Sequence, residues 1–181
     1  MKTFFKISTA AVIISIIVLA CKKSVGNGTV SSSYYITYNA NGVSKNFNNS
    51  IDVCAITDTN FFGQNIAMCV ITGATSALPA EILQIDIIGD TSQLVSNTFI
   101  DTATNAGYTL LCIHGVPGNA DYGAGPYVVD IPNNTNPFQI TFNSVNNGVV
   151  SGSFQGNLYD STGTKAYTIT NGKFNLPIKR N

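Results

Sequence analysis

From residue 34 onward, apolar and polar positions alternate in short runs punctuated by Gly, Asn, Asp and Pro. A period of two puts successive side chains on opposite faces of an extended chain, the signature of half-buried strands. The pattern predicts strands near residues 34–40, 43–48, 51–57, 65–72, 81–89, 107–114, 126–131, 138–144, 148–159 and 164–177. Helix has little support. The nearest candidate, "SALPAEILQIDII" at 76–88, is interrupted by Pro79, and its second half suits a strand better.

The last third is the most legible. In "FQITFNS", Phe138, Ile140 and Phe142 share one face, and "NNG" at 146–148 supplies a turn that tolerates positive φ. In "VVSGSFQGNLY", Val150, Phe154 and Leu158 point inward, while Ser151, Ser153, Gln155, Asn157 and Tyr159 are expected outside. "DSTG" at 160–163 fits a type I turn closed by glycine. The return strand then carries Tyr167 and Ile169 on one parity and Phe174 and Leu176 on the other. A regular strand cannot bury both pairs, so one extra residue, a β-bulge at Asn171 and Gly172, is expected.

The stretch "GSFQGNLYDSTGTKAYTITNGKFNLPI", with its G-x-F-x-G-x-L, turn and I-T-N-G-x-F, resembles the closing hairpin of small lipoproteins of Bacteroidota. "YYITYNANGVSKNFNNS" is similar to their opening strand. The resemblance covers about a third of the chain, rests on turns and core alternation, and supplies no catalytic residue. It implies an all-β fold, an antiparallel β-sandwich of about 8–10 strands. A lipocalin-like β-barrel is the alternative.

Before residue 34 the pattern differs. Lys2 and Lys6 precede a stretch, 10–20, that is apolar apart from Ser15. Eleven residues span roughly 16 Å as a helix, against a hydrocarbon core of ~30 Å. A cleaved export signal over 1–20 fits better than a membrane span. Val18-Leu19-Ala20-Cys21 resembles a bacterial lipobox. That resemblance implies cleavage before Cys21 and acylation of Cys21 by chains such as palmitate, with anchoring at about 0.8 kcal/mol per buried CH₂. No Asp follows Cys21, and no acidic run resembles a surface-export signal, so the expected address is the outer membrane facing the periplasm, with the cell surface as alternative. Residues 21–33 then read as the lipidated cysteine and a flexible tether, and 34–181 as a single β domain. Lys22 and Lys23 are either solvated tether residues or contacts to anionic headgroups.

Charge sharpens this picture. Formal neutrality hides an acidic body: residues 24–178 hold three lysines (Lys45, Lys165, Lys173) against nine acids, a formal −6. That balance argues against nucleic acid as a partner and leaves the membrane, a glycan or another protein. Besides Cys21 there are Cys54, Cys69 and Cys112. Cys54 and Cys69 flank a turn-rich "DTNFFGQN" and could bridge across a hairpin; alternatively all three are buried apolar fillers.

Chemistry has few places to sit. "HGVPGNADYGAGPY" at 114–127 is the longest Gly/Pro-rich break and carries the only histidine. His114, Asp121, Tyr122 and Tyr127 form a candidate patch for a polar ligand; otherwise the segment is a mobile surface loop with His114 ending an edge strand. No metal site or cofactor is expected. Asp58 with Asn60, and Asp101 with Asn105, are partial calcium patterns lacking a closing Glu. Glu81 and Asp86, five apart, face opposite sides of one strand and make no hydrolytic pair. Asp101-Thr102-Ala103 and Asp160-Ser161-Thr162 resemble the O-glycosylation sequon of exported Bacteroidota proteins, implying glycans on Thr102 and Ser161. There is no G-x-S-x-G elbow or H-E-x-x-H motif. The residues favour a membrane-anchored binding or assembly module over the alternative, an envelope hydrolase using His114 and a nearby carboxylate.

Overall fold

Eleven strands make one sheet in the computed structural model, which describes residues 34–47, 54–61, 64–74, 81–89, 98–100, 107–116, 118, 121–125 and 134–180, those at 54–61, 64–68, 74, 165–166 and 179–180 by backbone alone. In chain order they are β1 (Tyr35–Ala40), β2 (Val43–Phe47), β3 (Cys54–Phe61), β4 (Gln64–Ala74), β5 (Ile82–Gly89), β6 (Thr98–Ile100), β7 (Tyr108–Gly115), β8 (Tyr122–Ala124), β9 (Gln139–Asn146), β10 (Val149–Tyr159) and β11 (Lys165–Arg180). The described residues contain no helix. The all-β, antiparallel expectation holds.

The order along the sheet is β2-β1-β11-β3-β4-β5-β7-β8-β10-β9-β6, with β10 also paired to β11. That second pairing bends the sheet into a nearly closed barrel, the architecture weighed above as the alternative to a sandwich. Length explains it. β11 is 16 residues long, so one of its edges holds β1 along Ile169–Asn175 and still pairs in parallel with β3 at Ile178–Arg180. β10 divides its outer edge in the same way, between β9 and, at Tyr159, β8.

Turns and parity set the register as expected. Asn41 (φ 48°) with Gly42 (φ 82°), and Asn147 (φ 51°) with Gly148 (φ 75°), make two-residue hairpin turns between Ala40 and Val43 and between Asn146 and Val149. Both central positions need positive φ, which Asn tolerates and Gly takes freely. At the next turn Asp160 Oδ1 accepts from Thr162 N (2.9 Å) and Thr164 N (3.0 Å), and Gly163 N donates to Asp160 O. The bulge also falls where parity demands it. Ile169 and Gly172 on β11 oppose Gly156 and Phe154 on β10, so β11 carries one extra residue, and Asn171 has φ 56°. Ile169, Phe174 and Leu176 are thereby all buried. A Cβ at Gly172 would lie 2.6 Å from Phe154 Cδ2, so the ring occupies the space a side chain would need.

Two short strands were not predicted. β6 is three residues, and β8 forms inside the stretch read as a loop, where Tyr122 pairs with His114 across β7–β8. β7 is therefore an inner strand between β5 and β8 rather than an edge. The expected strand at 126–131 lies outside the described residues. Asn157 and Tyr159, expected outside, are buried instead. Residues 134–138 run along the edge of β10 beyond β9 and hold these side chains: Asn157 N donates to Asn136 O, Asn136 Nδ2 to Asn157 Oδ1 and Tyr159 OH to Asn134 Oδ1.

Inside the sheet, Ile36, Tyr38, Ile71, Leu83, Ile85, Ile87, Leu110, Phe138, Ile140, Phe154, Leu158 and Phe174 form a continuous core. One buried polar group belongs to the interior, His114, and another, Asp86, to the opposite face of β5.

Candidate functional site

Alternation along β7 turns Leu110, Cys112 and His114 inward, with His114 fully buried. Opposite it stand Leu83 on β5 and Tyr122 on β8. Two residues before Leu83, at the entrance to β5, Glu81 reaches the same ring: its Oε1 lies 2.9 Å from His114 Nε2. The β1–β2 hairpin delivers the other partners. Tyr38 and Lys45 are directly opposite one another and so share the inward face. The Tyr38 hydroxyl is 3.0 Å from His114 Nε2, and Lys45 Nζ is 3.0 Å from Glu81 Oε1 and Oε2.

Charge assigns the proton. Glu81 is ion-paired to Lys45 and as a carboxylate can only accept, so His114 Nε2 carries the hydrogen and donates to Glu81. Nδ1 is then the bare nitrogen. It is buried and has no hydrogen-bond partner among the described residues. Burial pushes the His114 pKa below its ordinary value, against the opposing pull of Glu81. A charged ring would add a second buried N–H with nothing among the described residues to accept it. The Tyr38 phenol is driven upward, first by burial and then by the Glu81 carboxylate, so it stays a neutral hydroxyl.

Aromatic rings close around the imidazole. Tyr167 of β11 meets His114 edge-on at 5.3 Å, and Tyr122 meets Tyr167 at 4.7 Å. Tyr38 also contacts Phe47 and Phe154, each at 5.8 Å. Tyr122 and Tyr167 are half-buried, and Asp121 is exposed beside Gly115, where an added Cβ would lie 3.1 Å from Asp121 Oδ1.

Of the four residues in the candidate patch, three converge at one end of the barrel. His114 is buried rather than on the surface, Tyr122 is its cross-strand neighbour and packs edge-on against Tyr167, and Asp121 is exposed at the rim. Tyr127 lies outside the described residues, as do Thr102 and residues 1–33 with Cys21. Ser161 is exposed in the Asp160 turn. The side chain of Cys54 is outside the described residues; Cys69 is buried, and its backbone opposes Ile56. Glu81, Lys45, Tyr38 and Tyr167 were missed as site residues. One signal was available: Glu81 is the only glutamate and His114 the only histidine of the chain.

Two other places hold polar groups. Asp86 is buried on the outer face of β5 between Val70 and Leu111, and receives Gln84 Nε2 at 3.1 and 2.9 Å. Burial raises its pKa to about 6. At the opposite end of the barrel a cavity of about 410 Å³ is lined by Val145, Asn146, Asn147, Gly148 and Ile178, none of them titratable. Among the described residues no three His, Cys, Asp or Glu gather to hold a metal ion. Compared with protein-family models, curated proteins and solved structures, the chain matches none of them.

Proposed function

We propose that this chain is a lipid-anchored envelope lipoprotein, held in the outer membrane by acylated Cys21, whose β domain is a non-enzymatic binding or assembly module. The anchor rests on the short apolar run that ends at Val18-Leu19-Ala20-Cys21. The binding reading rests on one observation: Tyr122, Tyr167, Asp121, Glu81 and Lys45 meet at one end of a barrel, the kind of rim where concave ligand sites are built. Half-buried tyrosines with carboxylates beside them suit a polar ligand with flat faces, such as a glycan. Glycan-array binding by the full chain, lost in Tyr122→Ala with the fold retained, is the expected result; binding unchanged in that variant would refute the placement. For the anchor, Cys21→Ser should move the protein from the membrane to the soluble fraction.

A hydrolase is the second reading, favoured by the 2.9 Å contact between His114 and Glu81. Against it, His114 is fully enclosed, and its Nδ1, the nitrogen left for a nucleophile once Glu81 holds Nε2, has no partner among the described residues. Turnover of chromogenic esters or glycosides abolished by His114→Gln would reverse the preference.

A further inference from the structure

The side chains that meet at His114 belong to elements held with unequal strength. β1 buries Ile36, Tyr38 and Ala40 and pairs with both β2 and β11. β2 buries only Phe47 and ends the sheet, pairing among the described residues with β1 alone. Among the described residues it is also linked to the body by Phe47 against Gly73 on β4 and by Lys45 on Glu81. An inward-pointing lysine on an edge strand also discourages edge-to-edge pairing, so the ion pair has a structural task already.

Every element around the ring adds a group. Tyr38 comes from β1, Lys45 from β2, Glu81 from the entrance to β5, Tyr122 from β8 with Asp121 just before it, and Tyr167 from β11. Cys112 sits two positions back on the same face of β7. With His114 neutral, one carboxylate balances one ammonium. With His114 charged, two cations share one carboxylate, since Nε2 lies 2.9 Å and Nζ 3.0 Å from the same Glu81 oxygen. Nδ1 would also carry a hydrogen with no acceptor among the described residues. The imidazole is fully enclosed, whereas the Lys45 side chain is 25% exposed and can swing its head into water. The cation that yields is therefore Lys45.

The geometry points to an acid-operated release of β2: protonation of His114 displaces Lys45 from Glu81, and β2 parts from β1 and from the ends of β4 and β5 while β1 stays on β11. Phe47 and the aromatic faces beneath it then gain access to solvent. Asp121 and Glu81 favour the charged ring and Lys45 and burial oppose it, so release lies on the acid side of an ordinary histidine. It is independent of the ligand-binding reading, because it needs no ligand.

Nuclear magnetic resonance on the full chain tests it directly, since the sole histidine gives a single imidazole signal. The two-residue turn makes Ala40 and Val43 the first bonded pair, so the amides of Lys45 and Phe47 point at β1 and report on β2. Their exchange, corrected for intrinsic rate, should rise about tenfold on acidification, with a midpoint that coincides with the His114 titration. Thr37, paired to β11, and Ile85 should stay protected. In Lys45→Met, which removes the second cation at a partly exposed position, the amides at positions 45 and 47 should lose the pH response. Exchange at 45 and 47 that ignores pH, a midpoint apart from the His114 titration, or a response that survives Lys45→Met would each overturn the proposal.

Discussion

Asp86→Asn should make the protein more stable at neutral pH and leave it nearly unchanged in acid. Asp86 is 1% exposed, on the outer face of β5, with Val70 and Leu111 directly opposite on the neighbouring strands. Burial raises its pKa from 3.8 to about 6, and the two contacts from Gln84 Nε2 offset only part of that. The sign follows from proton counting. Between the two values the folded protein holds a proton that the unfolded chain has released, so stability falls as pH rises through this window and stays low above it. Two pKa units correspond to about 3 kcal/mol at 1.36 kcal/mol per unit. Asparagine has nearly the same shape and cannot ionise, so the variant escapes this loss. Urea unfolding measured in acid and near neutrality should show the stability difference between variant and parent growing by about 3 kcal/mol, a midpoint shift of about 1–3 M at ordinary slopes. His114 acts in the opposite direction, since its lowered pKa removes stability as pH falls, but it is common to both proteins and cancels in the difference. Parallel pH profiles for the two proteins would refute the reasoning and mean that Asp86 is ionised and well solvated.

Three further changes probe the fold and the site. Glu81→Gln leaves Lys45 and His114 without their shared carboxylate and should cost about 1–3 kcal/mol in chemical unfolding. Gly172→Ala drives a Cβ against the Phe154 ring and should cost about 1–3 kcal/mol, read in the same assay. Asn147→Val puts a β-branched residue at φ 51°, and its thermal midpoint should fall by the equivalent of about 1–2 kcal/mol; an unchanged midpoint would show that the turn has another conformation in solution.

Much of the architecture was legible in local pattern. Period-two alternation located most of the longer strands, Asn-Gly pairs marked two of the turns, and the clash of parity between Ile169 and Phe174 located the bulge. Each is a short-range property, decided by residues within a few positions of one another. Short strands escaped notice for the complementary reason. β6 and β8 are three residues each, too brief to show a period, and they exist because longer neighbours offer them an edge.

The site was half legible. His114, Asp121 and Tyr122 stood out as rare residues in one Gly-rich stretch, and the structure does bring them to one end of the barrel. What alternation could not say is which residues complete the set. His114 meets Glu81 across 33 positions and Tyr38 across 76, and Lys45 meets Glu81 across 36. Those separations are bridged only when β1 lies on β11 and β5 lies on β7, so the proton on Nε2, the orphaned Nδ1 and the burial of the ring are products of strand order. Sheet closure has the same origin: β11 is long enough to carry β1 and β3 on one edge while β10 holds the other. The sequence by itself determined which faces are apolar, where the chain turns and which stretch resembles an anchor, because these follow from neighbours in the chain. Only the tertiary structure decided that an inward lysine, the lone glutamate and the lone histidine share one charge balance, because distant strands must first pair before those side chains can meet.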